Sequence, residues 1–437
     1  MTILVPIMMF GWIPAVISLF TLLHPRRAIV VAFIFAWLFL PNASYDLPGF
    51  PDYTKMTATV FGVLIGIALF DAGRLASFRF RLYDLPVLVF CASPIVTSSL
   101  NGLGLYDGAS ATLSNVTTWG VPYSIGRLYF SDLDDLRDLA IGIFIGGIIY
   151  VPLCLWEIRM SPGLHQAVYG FRTRQFLMGM RYGGYRPSVF LWSYIPVVHW
   201  LAMSTVVGFW LWIGGHTRRL FGIHMIVPLA LLLLTLFLCK TFVAAVLVPL
   251  GFCLAILSTR LHTPFLFVVL TIVIMTYMTV RASGLWSGQQ LVTLSAIVDD
   301  ARAGSLQVRL DNETLMAQRA LERPLFGWGG WNRSRLLDEE GRYATLTDGR
   351  WIIVLGNQGL IGLLAFAGLF AVPLFRFSRN HRGAIWAQPA FAPAGAIASI
   401  VLLTFLNNLP NSTMNPIFAL AAGGIVAATV SGSTRTG

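Results

Sequence analysis

The feature that most constrains this chain is a series of apolar runs, each about 17–25 residues long and joined by short polar links. Helical runs of that length match the hydrocarbon thickness of a bilayer, whereas barrel strands alternate over about ten residues. Only 11% of the 437 residues are charged and 56% are hydrophobic, while soluble domains carry about 25% charged residues. The sequence therefore predicts an all-α, polytopic integral membrane protein.

Thirteen runs are candidate transmembrane helices, and we expect residues 1–437 to form a single membrane domain. The predicted spans are 2–22, 28–41, 55–71, 84–100, 110–130, 138–156, 189–213, 219–239, 241–258, 264–281, 351–375, 385–406 and 414–431. The first run begins at Met1 and lacks a preceding basic segment and a following small-residue cleavage site. It is therefore expected to be a retained span rather than a cleaved signal peptide.

Five short basic links predict the orientation of the chain. By the positive-inside rule all of them should lie in the cytoplasm; they are residues 24–27, 73–82, 215–219, 259–262 and 376–382. They share one side only if the segment 101–137 crosses the membrane once. The N-terminus is then outside and the C-terminus inside, and two long loops, 157–188 and 282–350, lie on the outer face.

Arginine dominates the positive charge: all but two of the 30 basic residues are arginine, the exceptions being Lys55 and Lys240. Both outer loops are rich in arginine, against the rule that orients the chain. An anionic ligand is the simplest reason, because the guanidinium fork suits phosphate and carboxylate oxygens; a GC-rich genome is the alternative. The four cysteines lie in apolar runs without a CxxC pair, and we expect no metal site and no cofactor.

The loop 282–350 is predicted to hold a helix over 305–322, with Ser305 as its N-cap and Pro324 beyond its end. Arg309 and Glu313 are four residues apart on the apolar face of this helix and can pair there. The pair is either a structural ion pair or part of a site.

Glycines and tryptophans follow in "FGWGGWNR". The glycines allow a close backbone approach, and Trp328 and Trp331 offer flat faces to a sugar or to the membrane interface. In the first outer loop, Arg181 and Arg186 can reach into a cavity or extend to the lipid phosphates. Lys240, between two apolar runs, needs a partner to offset its cost there.

Together these segments resemble the O-antigen ligase/polymerase family of bacterial envelope glycan assembly. That family has a large outer loop with an arginine on a helix and a P-L-x-G-x-G word, then a His-led segment entering a span that ends G-L-I-G. The matching words are "SLQVRLDNETLMAQRALERPLFGWGGWNR" and "TDGRWIIVLGNQGLIGLLAF". The match is clearest over residues 300–370, weaker around 181–205 and 236–246, and only topological elsewhere.

The resemblance implies a GT-C-like fold and metal-independent transfer of a glycan from undecaprenyl diphosphate to an acceptor hydroxyl. Arg309 matches the helix arginine that holds the diphosphate, and Lys240 stands where the family has an arginine. Asp348 stands where the family has a histidine that assists the acceptor, and a carboxylate can also accept that proton. The alternative role for Asp348 is to cap the helix that begins at Trp351.

The resemblance and the residues give one set of expectations for the site. We expect Asp348, Arg309 and Glu313 to be catalytic. The residues expected to bind substrate are Arg181, Arg186, Lys240, Trp328, Trp331, Arg333 and Arg350.

The predicted function is polymerisation of undecaprenyl-diphosphate-linked glycan units, for an exopolysaccharide or O-antigen, at the periplasmic side of a bacterial inner membrane. One alternative is a ligase that passes the same glycan to a lipid or protein. The other is a transporter of lipid-linked sugars, although neither broken repeated helices nor mid-membrane charges are evident. The bilayer, a flippase and a chain-length regulator are candidate partners, and the composition excludes nucleic acid.

Overall fold

The protein is nearly all-α, as the apolar runs predict: the computed structural model is 73% helical. It describes residues 1–46, 52–173, 180–181, 183–297, 300–345 and 348–434. The helices are α1 (Leu4–Phe10), α2 (Trp12–Leu22), α3 (Pro25–Phe39), α4 (Lys55–Phe70), α5 (Ala72–Ala76), α6 (Leu85–Leu100), α7 (Leu105–Asn115), α8 (Val121–Tyr129), α9 (Leu133–Met160), α10 (Leu164–Tyr169), α11 (Tyr194–Ile213), α12 (Ile226–Leu238), α13 (Phe242–Leu261), α14 (Phe265–Ala282), α15 (Gln289–Ala296), α16 (Asp300–Leu321), α17 (Arg350–Asn380), α18 (Ala392–Asn407) and α19 (Pro416–Thr434).

Only short strands accompany these helices, as three two-stranded antiparallel ribbons. The strands are β1 (Ser44–Tyr45), β2 (Tyr53–Thr54), β3 (Met180–Arg181), β4 (Gly184–Tyr185), β5 (Arg219–Leu220) and β6 (Ile223–His224). Single turns of 3-10 helix lie at Leu82–Asp84, Gly383–Ala387 and Pro389–Phe391, and a π-turn at Val116–Gly120 joins α7 to α8.

Seven helices in the described part of the chain are long and apolar enough to cross a membrane, or eight if the bent pair α1 and α2 counts as one span. Three more apolar segments are shorter: α4, α12 and the Pro416–Ala428 part of α19. The length criterion thus identifies fewer spans than the thirteen expected from the sequence. The difference comes from α3, which is 15 residues long, from these shorter segments and from the α7–α8 region. In that region α7 and the π-turn carry polar side chains such as Ser114 and Thr118.

The core lies around α11 and α18. In the most apolar stretch of each of these helices 83% of the residues are buried, compared with 33% for α14. Small residues allow the tightest helix contact, between α8 and α19. A β-carbon on Gly126 would lie 2.1 Å from the carbonyl oxygen of Leu420, and one on Gly423 would lie 2.0 Å from that of Tyr123. No larger residue fits at either glycine without moving a backbone.

Helix ends that the sequence assigns to the same side contact each other. On the predicted inner side, Arg27 pairs with Asp138 at 3.6 Å. On the predicted outer side, the backbone nitrogen of Thr2 donates to Tyr169 O in the first outer loop at 3.0 Å. Each of these two contacts joins segments that the sequence predicts on the same side.

The first outer loop, 157–188, is closed by Glu157 at the end of α9. This carboxylate is fully buried. Four backbone N–H groups from both ends of the loop donate to it: those of Gly163 at 3.0 Å, Leu164 at 2.9 Å, Ser188 at 2.8 Å and Val189 at 2.8 Å. One side chain thus holds the loop's entry and exit together, with α10 between them.

The second outer loop, 282–350, holds α15 and α16. The predicted helix ends as expected, at Leu321 before Pro324, but it begins at Asp300 rather than after Ser305. The N-cap assignment of Ser305 is therefore wrong, since that residue lies inside the helix. Asp300 in the first turn gives the earlier start favourable electrostatics, because a carboxylate near a helix N-terminus stabilises the helix dipole.

Candidate functional site

The two sequence motifs that carry the resemblance to the O-antigen ligase/polymerase family contact each other through their backbones. We call residues 324–329 the PLFGWG loop and residues 356–361 of α17 the GNQGLI segment. Four hydrogen bonds join them: Trp328 N to Gly356 O at 2.9 Å, Gly329 N to Asn357 O at 3.0 Å, Leu360 N to Pro324 O at 2.7 Å and Ile361 N to Leu325 O at 3.2 Å. Segments about thirty residues apart therefore form one unit.

The docking is possible because α17 is broken at Gly359. This residue has φ 65° and ψ −162°, a conformation that is essentially restricted to glycine. The break frees the N–H groups of Leu360 and Ile361, and the PLFGWG loop accepts both. Irregular backbone at membrane depth is tolerated only where protein satisfies its polar groups, and here the loop does so.

Side chains from α6 tie the same unit to the bundle. Asn101 Nδ2 donates to Gly327 O at 3.0 Å, and the Asn101 Oδ1 atom accepts from Arg323. Ser93 Oγ donates to Gln358 Oε1 at 2.8 Å. Sequence reasoning missed these residues, because a single Ser within an apolar run, or a single Asn just after one, carries no local signal of its partner.

Arg309, Glu313 and Asp348, the three residues expected to be catalytic, line one cavity of about 200 Å³. It lies where α16 meets the start of α17. The rest of its lining is mostly apolar: Tyr277, Leu306, Leu310, Met316, Gly349, Ile352, Leu409 and Pro410. The cavity thus combines a cation and two acids with a mostly apolar wall.

Arg309 and Asp348 form an ion pair, with 3.5 Å between Nη2 and Oδ2. Their side chains are 42% and 53% exposed, and exposed pairs of this kind typically stabilise by only about 0–1 kcal/mol. The helix that follows has Gly349 at its N-cap without a side-chain cap bond. Asp348 therefore does not cap that helix, and its carboxylate is directed to Arg309.

The predicted Arg309–Glu313 pair is replaced by different partners. Glu313 Oε2 accepts from Tyr277 Oη at 2.9 Å and from Arg281 Nε at 3.3 Å. Both partners lie on α14, the span before the loop, so the contact crosses between two helices. Burial raises the pKa of Glu313, and hydrogen bonding from Tyr277 and the charge of Arg281 oppose that rise.

Arg281 is the central residue that sequence reasoning missed. It is 3% exposed. Besides Glu313, its guanidinium donates to three backbone carbonyls, of Trp286 at 2.9 Å, Ser287 at 3.0 Å and Leu310 at 2.7 Å, and to Thr314 Oγ1 at 3.2 Å. Arg281 is the last residue of the predicted span 264–281, and its contacts fix α16 on α14.

Three other cations that were expected to bind substrate lie elsewhere. Among the described residues, the lining of the Arg309 cavity includes neither Arg186 nor Lys240. Arg186 is buried, with its guanidinium 3.5 Å from the centre of the Tyr194 ring. Lys240 is exposed in the turn between α12 and α13, with φ 51°. Arg181 lies in β3, its backbone paired with Gly184, and its side chain is outside the described part.

The remaining expected ligand residues divide into three settings. Arg350 is buried, and its backbone nitrogen donates to Asn408 O at 2.9 Å. Trp328 lies against two guanidinium groups, of Arg319 at 3.6 Å and Arg323 at 4.3 Å, so arginine occupies the ring surface expected to bind sugar. Trp331 and Arg333 line a second cavity, treated below.

No family model matches the chain, and no curated protein matches it. Within the described residues, no cluster of three or more His, Cys, Asp or Glu residues could hold a metal ion.

Proposed function

We propose that this protein is a membrane glycosyltransferase that polymerises glycan units carried on undecaprenyl diphosphate. The observation that carries the proposal is the loose Arg309–Asp348 pair at one side of an apolar cavity. It supplies the two groups that such a transfer needs, a cation for the diphosphate and a carboxylate base for the acceptor. In this proposal the site faces the periplasm and uses no metal or cofactor.

The pair is suited to opening when substrate binds. A diphosphate offers several oxygens to the guanidinium fork and can displace the single carboxylate contact. The displacement costs little, because a half-exposed pair stabilises by only about 0–1 kcal/mol. The Asp348 carboxylate is then released beside the reacting sugar, where it can accept a proton.

The reaction follows from these two roles. The acceptor hydroxyl oxygen forms a bond to the anomeric carbon of the donor, and the bond from that carbon to the phosphate oxygen breaks. Asp348 takes the hydroxyl proton, and the bonding electron pair leaves with the lipid diphosphate. Arg309 stabilises the negative charge that develops on that leaving group, and it does so most effectively beside an apolar wall.

A broken helix would also fit a transporter, where unwound backbone binds the cargo. In α17, however, the N–H groups freed by Gly359 are occupied by Pro324 and Leu325 carbonyls. The break therefore serves the docking of the PLFGWG loop, and this observation favours the enzyme. A ligase would use the same donor chemistry and differs only in its acceptor.

The proposal is tested by transfer with purified protein and the lipid-diphosphate glycan extracted from host membranes. Asp348→Asn and Arg309→Ala should each slow chain growth by about 100-fold or more, because positioned proton transfer and charge stabilisation typically contribute that much. Asp311→Asn is the matched control: it lies on α16 two residues from Arg309, is exposed, and bonds Gln307.

The product pattern separates the alternatives. A ladder of lengthening glycans indicates a polymerase, and transfer of an unchanged glycan to a lipid or protein indicates a ligase. Normal ladders from both Asp348→Asn and Arg309→Ala would rule out this site.

A further inference from the structure

A second, larger cavity lies on the outer loop next to the PLFGWG loop. Its volume is about 480 Å³, within the range of about 300–1,000 Å³ typical of ligand sites. We call it the arginine groove. The side chains that matter below are Arg319, Trp331, Arg333, Arg335, Leu337 and Tyr343.

One wall of the arginine groove is a hydrogen-bonded hairpin. Leu337 and Tyr343 form an antiparallel bridge. Its backbone bonds run from Ala344 N to Leu336 O at 2.9 Å and from Asp338 N to Arg342 O at 2.8 Å. The groove is therefore held by backbone pairing rather than by side chains alone, so its shape is largely formed before a ligand binds.

The charge in the groove is one-sided. Three arginines line it and no acid does. Arg319 pairs with Glu322, which lies outside the lining. The acids of the hairpin, Asp338 and Glu340, pair with Arg342 at 3.0 and 2.9 Å. Among the described residues no carboxylate lies within ion-pair distance of Arg333, which is exposed. The groove thus presents positive charge for a negatively charged ligand.

Aromatic rings complete the groove in an exposed position. Trp331 is 72% exposed and Tyr343 is 52% exposed, and the guanidinium of Arg335 lies 5.1 Å from the centre of the Tyr343 ring. Flat rings between cations suit a ligand with apolar C–H faces and carboxylate edges. Sugar units that carry carboxylates have both features, whereas an inorganic anion has only the charge.

The groove also lies near the proposed reaction site. A smaller cavity shares Trp331 and Arg335 with the groove and extends to Met316. Met316 in turn lines the cavity of Arg309 and Asp348. The buried Met316 side chain thus lies between the small cavity and the reaction site, and a ligand in the groove would be a near neighbour of the reacting groups.

We propose that the arginine groove binds the carboxylate-bearing sugar units of an acidic glycan next to the site of transfer. The role of the groove in catalysis rests on the proposed function, whereas binding of an acidic glycan to the groove does not require turnover. It narrows the substrate class from any lipid-linked glycan to one that contains uronic acids or similar acidic sugars.

The test is a binding titration with the full-length protein in nanodiscs. The probes are a short oligogalacturonate and a neutral maltooligosaccharide of equal length. We expect saturable binding of the acidic probe that is at least about tenfold tighter than that of the neutral one. Arg333→Gln and Trp331→Ala should each weaken it about tenfold, which corresponds to about 1.4 kcal/mol. Arg260→Gln, an exposed arginine at the end of α13, removes the same charge and should change nothing.

Two results would overturn the proposal. One is equal binding of both probes, or unchanged binding in both groove variants shown to be folded by size-exclusion chromatography. The other is evidence that Trp331 contacts lipid. In that case brominated phosphatidylglycerol would quench the tryptophan fluorescence of the wild-type protein more than that of Trp331→Phe. Binding to the groove is measured without glycan transfer. The acidic probe can therefore bind even if Asp348→Asn proves fully active, so the two proposals are tested independently.

Discussion

Gly327 and Gly359 approach so closely that a β-carbon on Gly327 would lie 2.6 Å from the backbone nitrogen of Gly359. Gly359 is equally confined by the loop: a β-carbon on Gly359 would lie 2.4 Å from the Leu325 carbonyl carbon. Both residues have positive φ, 68° and 65°. The docking of the PLFGWG loop on α17 therefore depends on the absence of side chains at both positions.

Substituting Gly359 by alanine should undock the loop. The side chain would meet backbone atoms, and a non-glycine residue in this conformation costs about 1–3 kcal/mol before any clash. We expect a lower melting temperature in detergent and a loss of glycan synthesis. Gly304→Ala is the control, since that helical glycine is exposed with open space around it and the change should stabilise slightly. An unchanged melting temperature for Gly359→Ala would contradict this account.

This docking shows how far sequence reasoning reaches. The motifs around Gly327 and Gly359 could be singled out in the sequence, and apolar runs predicted most of the long helices, because both are local properties. Their contact was not predictable, because nothing in either word specifies its partner. The same reason explains the change of partner for Glu313: spacing within one helix suggested Arg309, but Arg281 on another helix lies closer to it. The shared cavity of Arg309 and Asp348 was anticipated only through the family resemblance.

Arg281 and Glu313 should behave as positioning residues rather than as catalytic residues. Their side chains are 2% and 12% exposed, so removing one leaves a buried charge. Such changes typically cost about 3–5 kcal/mol. We expect Arg281→Leu to lower the melting temperature strongly, and the double variant Arg281→Leu/Glu313→Leu to recover part of that loss.

Glycan transfer activity distinguishes a positioning role of Glu313 from a catalytic role. Glu313→Gln keeps an oxygen for the Tyr277 hydroxyl and should retain most transfer activity in protein that remains folded. A loss comparable to that of Asp348→Asn, without a change in melting temperature, would assign Glu313 to catalysis instead.

Glu157 should control the order of the first outer loop. Each carboxylate oxygen accepts two backbone N–H groups, and glutamine would turn an NH₂ group toward two of those donors. Each buried group left unpaired costs about 1–3 kcal/mol. We expect Glu157→Gln to speed trypsin cleavage after Arg181. Glu322→Gln, which alters an exposed pair with Arg319, should leave the cleavage rate unchanged.

The first outer loop should also loosen in acid through His165 on α10. The backbone N–H of Asn42 donates to His165 Nε2 at 3.2 Å, so Nδ1 carries the proton and donates to Phe171 O at 3.0 Å. A second proton on Nε2 would remove the acceptor for Asn42. Burial lowers the pKa of His165; the Phe171 hydrogen bond opposes this, and the charge of Lys55 adds to it.

The sign of the pH effect follows from that lowered pKa. Between the lowered folded value and the ordinary value of about 6.5 the unfolded chain binds more protons, so stability falls as pH falls through this window. We therefore expect hydrogen exchange at the Asn42 amide to accelerate between about pH 7.5 and about pH 5 after correction for intrinsic exchange. His165→Gln should exchange faster at the higher pH and lose most of the pH dependence. His216→Gln, which alters a half-buried histidine that contacts Pro389 O, should keep the wild-type profile. A flat corrected profile in the wild-type protein would show that His165 protonation does not open this contact.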